Sequence, residues 1–240
     1  MEKKAILSIQ DLNIKFNLRG QLLHAIRGVS LDLLDGECLA IVGESGSGKS
    51  VLVKSCMGLL DKNGFIDSGS IVYNGMELTA NKKEKEWEKI RGGQIAMVMQ
   101  DPMTSLNPLK SIGWQIGESL KYHQNLTGEA AKNKVMEMLT DVGIDDPKRR
   151  YSQYPHEFSG GMRQRVAIAI ALACNPRILV CDEPTTALDV TIQAQILDLV
   201  RGLQKKYQLT TIYITHDLGV VANVADRVAV MYAGDIVEIG

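Results

Sequence analysis

Between residues 6 and 34 apolar and polar side chains alternate. Leu7, Ile9, Leu12, Ile14 and Phe16 come first, then Ile26, Val29, Leu31 and Leu33. A period of two predicts strands with one face toward a core. Arg19-Gly20 and Asp35-Gly36 mark turns between them, so an antiparallel sheet is expected here. It leads into Cys38-Leu39-Ala40-Ile41-Val42, a continuous apolar run of the kind found in buried strands. Ser68 to Gly75 predicts another strand and turn. The Lys- and Glu-rich stretch from Asn81 to Arg91 reads as a solvated helix or loop.

Further along, Ile95 to Met99 is a short apolar run ending at Gln100. Pro102, Asn107-Pro108 and Gly113 then punctuate a loop. Ile112, Ile116 and Leu120 recur at helical spacing. Thr127 is placed to cap a second helix carrying Val135, Met138, Leu139 and Val142, stopped by Gly143. Residues 162–174 are alanine-rich and strongly helical. Ile178 to Cys181 predicts a buried strand, and Thr191 a cap for the helix of Ile192, Ile196, Leu199, Val200 and Leu203. Thr210 to Ile214 is a strand, and Val228 to Tyr232 and Ile236 to Ile239 are two more around Gly234. Strands and helices alternate after residue 50, which predicts a parallel, three-layer α/β core. The expected division is one domain, 1–240, with a core of 1–100 and 175–240 and a helical subdomain of 101–174.

Composition narrows the function classes. The 240 residues are 45% hydrophobic and 23% charged, ordinary for a globular chain. The net charge of -1 gives no electrostatic case for nucleic acid. No apolar run approaches the roughly 20 residues that span a bilayer. Met1 to Leu7 has no long apolar core, so no signal peptide is expected. Cys38, Cys56, Cys174 and Cys181 form no C-x-x-C pair and sit among apolar residues, which predicts buried thiols in a reducing cytosol.

The chemistry begins at Gly43-Glu44-Ser45-Gly46-Ser47-Gly48-Lys49-Ser50, which fits G-x-x-x-x-G-K-[ST]. The apolar run before it and the helix opened by Val51 after it supply the strand–loop–helix context that a phosphate loop requires. Glycines let the backbone turn close to the phosphates. Loop amides and the helix N-terminus aim positive ends at anionic oxygens. Lys49 is expected to reach the β- and γ-phosphates, and the Ser50 hydroxyl to ligate Mg²⁺.

Further motifs follow, at strand ends where open α/β sheets place their ligands. The run 178–181 delivers Asp182 and Glu183 to the edge of a strand. Asp182 can hold Mg²⁺, directly or through water, and Glu183 can orient or deprotonate the water attacking the γ-phosphate. Solvated acids capping a strand are the alternative. Ser159-Gly160-Gly161 opens the alanine-rich helix and forms a second anion site, although Ser159 alone would also suit an ordinary cap. Two phosphate cradles in one chain make sense if two chains face each other, each lending its Ser-Gly-Gly to the other's nucleotide.

Phosphate loop, Gln100, Ser159-Gly160-Gly161, Asp182-Glu183, Ala187-Leu188-Asp189 and His216 stand in the order of an ABC transporter ATPase cassette, which the chain resembles over its whole length. Gln100 to Pro108, Tyr154 to Arg165, Asp182 to Val190 and Thr215 to Val221 are similar to the ATP-binding subunits of oligopeptide and dipeptide importers. The resemblance implies a P-loop NTPase core with an N-terminal antiparallel β subdomain and a small helical insertion. It implies ATP and Mg²⁺ as ligands. It implies catalytic roles for Glu183, His216, Gln100 and Lys49. The nucleotide would be bound by Phe16, Gly43, Glu44, Ser45, Gly46, Ser47, Gly48, Lys49, Ser50, Val51, Gln100, Ser159, Gly160, Gly161, Asp189 and His216. Ser50, Gln100 and Asp182 would hold the metal. Phe16 resembles the aromatic that stacks on adenine, with a core-facing ring as its alternative.

The signature of the family usually reads Leu-Ser-Gly-Gly-Gln and here reads Phe-Ser-Gly-Gly-Met, with the serine and glycines intact. Relatives usually continue beyond the position of Gly240, in some cases with a cysteine-rich segment, and residues 1–240 alone give no ground for claiming an iron–sulfur cluster. The resemblance further implies an ATPase working at the cytoplasmic face of the membrane with two transmembrane permease subunits. A second homologous ATPase, a heterodimer, and indirectly an extracytoplasmic solute-binding protein complete the expected set, without nucleic acid. A nickel or metal-chelate importer is the alternative within transport, and a non-transport ABC ATPase in translation or DNA repair the alternative outside it. Met103, Leu106, Leu109 and Trp114 form an apolar group expected to receive a permease helix; the alternative is that they pack inside the insertion.

Overall fold

The computed structural model describes residues 4–80, 82–101, 105–185 and 188–240. It divides into two compact units, Met1–Glu88 with Thr210–Gly240, and Lys89–Leu209.

In the first unit the alternating pattern forms the long hairpin β1 (Ala5–Leu18) and β2 (Gln21–Leu34). Its apolar face, including Leu7, Ile9, Leu12, Ile14, Ile26 and Val29, is buried. The expected turns are there: Arg19 and Gly20 carry left-handed φ of 51° and 89°. A sheet in the order β2-β1-β4-β5 is completed by β4 (Gly64–Tyr73) and β5 (Met76–Glu77). The sequence predicted β4 only from Ser68. Phe65 and Gly64 extend it because they pair with Lys15 and Phe16 of β1.

β3 (Cys38–Val42) is buried along its whole length. It pairs in parallel with β8 (Thr210–Thr215) and with β9 (Arg227–Tyr232), and β10 (Asp235–Ile239) runs antiparallel to β9. Two short helices, α1 (Lys49–Ser55) and α8 (Leu218–Val224), belong to this unit. Glu37, 1% exposed, accepts hydrogen bonds from Leu34 N at 2.7 Å and from Arg227 Nη1 at 3.0 Å. A buried carboxylate with those partners ties the start of β3 to β9. Helix α2 (Glu84–Ile90) spans the sequence boundary between the units.

The second unit carries the parallel pair β6 (Ile95–Val98) and β7 (Ile178–Asp182), with Val98 opposite Cys181. Its helices are α3 (Ile112–Gln124), α4 (Gly128–Asp141), α5 (Pro147–Arg150), α6 (Gly160–Leu172) and α7 (Val190–Tyr207). Val135, Met138 and Leu139 of α4 are buried, as their spacing predicts. Gly143 follows that helix at φ 71°, the left-handed position where glycine ends helices.

Three local expectations change. Thr127 holds the N-cap position of α4, but its side chain makes no capping bond. Thr191 lies inside α7, whose cap is Asp189: the Asp189 carboxylate accepts from Ile192 N at 2.9 Å. Leu106 is buried, at 4% exposure, so it is not the exposed apolar side chain that a docking surface needs. Leu109 and Trp114 are exposed, at 82% and 42%, and Met103 lies outside the described residues.

Candidate functional site

In the first unit the phosphate loop joins β3 to α1. Gly43, at φ 153°, lies under the carbonyl oxygen of Met231, 2.1 Å from where a Cβ would stand. Gly48, at φ 104°, packs against Ile26 and the Ala25 carbonyl, 2.9 and 3.1 Å from its own missing Cβ. Glycine is required at both positions by backbone angle and by close approach. The loop is pinned from the side by Gly234, whose N–H donates to Ser47 O at 2.9 Å. Gly48 is also the N-cap of α1, a position it fills without a capping side chain of its own.

Lys49 is the principal electrostatic feature of the loop. It is 5% exposed, and its Nζ donates to Gly43 O at 2.8 Å and to Glu44 O at 2.9 Å. Both acceptors are neutral carbonyls. A buried ammonium whose acceptors among the described residues are neutral carbonyls favours an anion beside it. Ser47 Oγ, buried in the same loop, has no hydrogen-bond partner among the described residues. Ser50 and Val51 are half-buried in the first turn of α1.

His216 follows β8 directly. Thr215 is opposite Val42 in the parallel ladder, so His216 and Gly43 leave neighbouring strands at the same end. The His216 residue is exposed. Phe16 lies on β1 between Leu23 and Gly64, and its ring covers Gly64, where a Cβ would come within 2.5 Å. One face of that ring is therefore against backbone.

In the second unit Asp182 ends β7 and Glu183 follows it. Gln100, just beyond β6, donates from Nε2 to Glu183 Oε2 at 3.1 Å. The parallel pairing of β6 and β7 makes that meeting possible. Glu183 adopts φ 47°, a left-handed angle that costs a non-glycine residue about 1–2 kcal/mol. Strained backbone of this sort concentrates at working residues.

Ser159 is the N-cap of α6, and its Oγ accepts from Met162 N at 3.3 Å. The preceding turn is fixed by Glu157, whose carboxylate accepts from Tyr154 N at 2.7 Å. Gly160 and Gly161 open the helix. Asp189 caps α7, and Thr186 and Ala187 just before it lie outside the described residues.

The structure thus gathers the predicted residues into two sets: the phosphate loop with His216 in one unit, and Gln100 with Glu183, the Ser-Gly-Gly turn and Asp189 in the other. Sequence reasoning missed the Met231 carbonyl and Ile192, which abuts Gly161. No motif signals either contact; only Ile192's spacing of three from Asp189 hints at a shared helical turn. All four cysteines are buried thiols. Burial pushes the Cys56 thiol up to about 12 and the Cys174 thiol up to about 11. Among the described residues no cluster of three His, Cys, Asp or Glu is placed to hold a metal.

A family model described as ABC transporter matches residues 26–186. The oligopeptide transport ATP-binding protein AmiE of Streptococcus pneumoniae is 59% identical over all of this chain, which covers 67% of that relative. The dipeptide transport ATP-binding protein DppD of Bacillus subtilis is 55% identical, again over the whole chain and 71% of the relative. The chain therefore spans about two thirds of the length of these relatives. Among solved structures, the ATP-binding cassette MJ0796 bound to ADP and Pi, a dimer, superposes with a TM-score of 0.84. It is 27% identical, with 98% of this chain and 97% of that one covered.

Proposed function

The chain belongs to the ABC transporter family, and from that premise we propose that it is the ATP-binding subunit of an importer, hydrolysing ATP in a two-cassette dimer to drive uptake of oligopeptides or dipeptides through partner permeases. The observation that carries the ATP half of this reading is the buried Lys49 ammonium, held by two neutral carbonyls in a glycine loop. The peptide half rests on the likeness to peptide-transport relatives.

Lys49 and the loop amides bind the β- and γ-phosphates, and Phe16 offers the free face of its ring to adenine. Glu183 orients a water for attack on the γ-phosphorus and takes its proton; the bond to ADP breaks and phosphate leaves. Gln100 holds the Glu183 carboxylate in place, as the 3.1 Å hydrogen bond supports. His216 stabilises the γ-phosphate. Mg²⁺, when bound, neutralises charge on the phosphate oxygens. The donors proposed for it, the Ser50 hydroxyl, Gln100 and Asp182, offer the hard oxygens that this ion takes in small number beside phosphate and water.

Ser159, Gly160 and Gly161 serve the nucleotide of a second, homologous ATPase, and Asp189 lies in the loop that couples the two sites. Among the described residues no helix is long and apolar enough to cross a membrane. Attachment at the cytoplasmic face is accordingly proposed through the permeases, with the exposed Leu109 and Trp114 as docking side chains in place of Leu106. A solute-binding protein outside the membrane delivers the peptide.

The test is Ser159→Arg in this chain, combined with a partner ATPase mutated in its own phosphate loop. The site made of this chain's phosphate loop and the partner's intact Ser-Gly-Gly stays active if the cradles work in trans. Loss of hydrolysis at that site refutes the arrangement.

A further inference from the structure

Two glycines open α6, and their surroundings differ. A Cβ on Gly160 would meet Leu188 Cδ2 at 3.6 Å, ordinary contact, whereas a Cβ on Gly161 would stand 2.7 Å from Ile192 Cγ2. Neither glycine has a positive φ. The backbone therefore accepts alanine at both positions, and alanine is the better helix former by about 1 kcal/mol. Within this chain, the obstacle to any side chain at Gly161 is Ile192.

Ile192 cannot easily yield. It is β-branched and sits in the first turn of α7, where one χ1 rotamer dominates. Its Cγ2 is bonded directly to Cβ, so moving it means leaving the favoured χ1 rotamer or shifting the helix. The backbone at Ile192 is in turn fixed by Asp189, whose carboxylate accepts from Ile192 N at 2.9 Å. Farther along both helices, Arg165 Nη2 donates to Gln195 Oε1 at 3.5 Å, and Arg165 Nη1 donates to Val142 O at 2.7 Å. The Asp189 loop and the Ser-Gly-Gly turn are therefore linked from Asp189 to Ile192 to Gly161, and Ile192 makes the tightest contact at either glycine among the described residues.

We propose that Ile192 is a positioning residue: it sets the approach of the Ser159-Gly160-Gly161 turn and transmits any shift of the Asp189 loop to it within one chain. The proposal rests on the reading above that this turn serves a nucleotide. It gives Gly161 a reason to be glycine that is separate from space for phosphate.

The contact is tested with Gly161→Ala, Ile192→Ala, Ile192→Val and the double variant Gly161→Ala/Ile192→Ala, each assembled with its partner ATPase and permeases. Melting temperature, ATP binding at the chain's own phosphate loop and steady-state hydrolysis are measured. Gly161→Ala lowers the melting temperature, and the double variant, which lacks the Ile192 methyl groups, restores it. Ile192→Ala lowers kcat by roughly tenfold to a hundredfold, the scale of an ångström-level misplacement, with KM for ATP unchanged. Ile192→Val, which keeps a γ-methyl toward Gly161, retains kcat.

A Gly161→Ala chain with unchanged melting temperature overturns the proposal, as does a double variant no more stable than Gly161→Ala. Unchanged kcat in Ile192→Ala also overturns it. Those results leave the trans arrangement intact so long as Ser159→Arg still abolishes hydrolysis at the partner's site. Full hydrolysis at that site in Ser159→Arg instead removes the reading on which the proposal rests.

Discussion

Gly43→Ala probes how tightly the phosphate loop is held. The added Cβ would stand 2.1 Å from the Met231 carbonyl oxygen and 2.9 Å from Ser47 Oγ. Real Cβ atoms essentially never come closer than 3.0 Å, so the deficit at Met231 is about 0.9 Å. Met231 is a buried residue of β9, hydrogen-bonded in the sheet, and cannot retreat by that much. The loop must move instead. Overpacking of this kind costs about 2 kcal/mol, which in a chain of this size lowers Tm by about 4–8 °C. The displaced carbonyl of Gly43 is also one of the two acceptors of Lys49 Nζ. ATP binding weakens accordingly, and hydrolysis falls on the order of 10²-fold, as expected for a misplacement near 1 Å. Gly46→Ala is the control. At φ 80° with nothing within 4 Å of its Cβ, it carries backbone strain alone, about 1 kcal/mol. Thermal melting and titration with a fluorescent ATP analogue measure both variants. A Gly43→Ala protein with the melting temperature and ATP affinity of the parent refutes the steric reasoning.

Asp141 accepts from Lys206 at 2.5 Å and from the Tyr207 hydroxyl. Burial pushes its carboxyl up, but these bonds outweigh that and hold it below the ordinary range. A carboxylate with a depressed folded pKa adds stability above its unfolded value and loses it as pH falls through the folded one. Thermal melting should therefore show Asp141→Asn destabilised at pH 7, with the loss of stability below about pH 4 shallower than in the parent; parallel curves contradict this. Leu109→Asp should leave ATP binding by the isolated subunit unchanged and weaken permease association and uptake. Normal association of this variant would move the docking surface elsewhere.

Much of the architecture was legible because its signals are periodic or local. Alternation from Leu7 to Leu33 predicts the β1–β2 hairpin, since one face must be buried for the sheet to be stable. The phosphate loop declares itself through glycine positions that only a tight turn needs. The missing parts depend on neighbours distant in sequence. Leu106 looked exposed because its segment is rich in turn residues, yet the side chain is buried. Asp189 displaced Thr191 as the cap of α7 because the carboxylate reaches Ile192 N. The positive φ of Glu183 and the contact of Ile192 with Gly161 have no pattern in sequence; each arises from how two elements meet.

The proposed function makes hydrolysis at this chain's site the power source for peptide uptake. Glu183→Gln tests it most directly, in the assembled transporter, with phosphate release and uptake of a labelled peptide followed on the same preparation. Removal of a general base costs about 10²–10⁴-fold in rate. ATP should still bind, while phosphate release falls by that factor and peptide uptake falls with it. Phosphate release and uptake at the parent's rates in Glu183→Gln would contradict it.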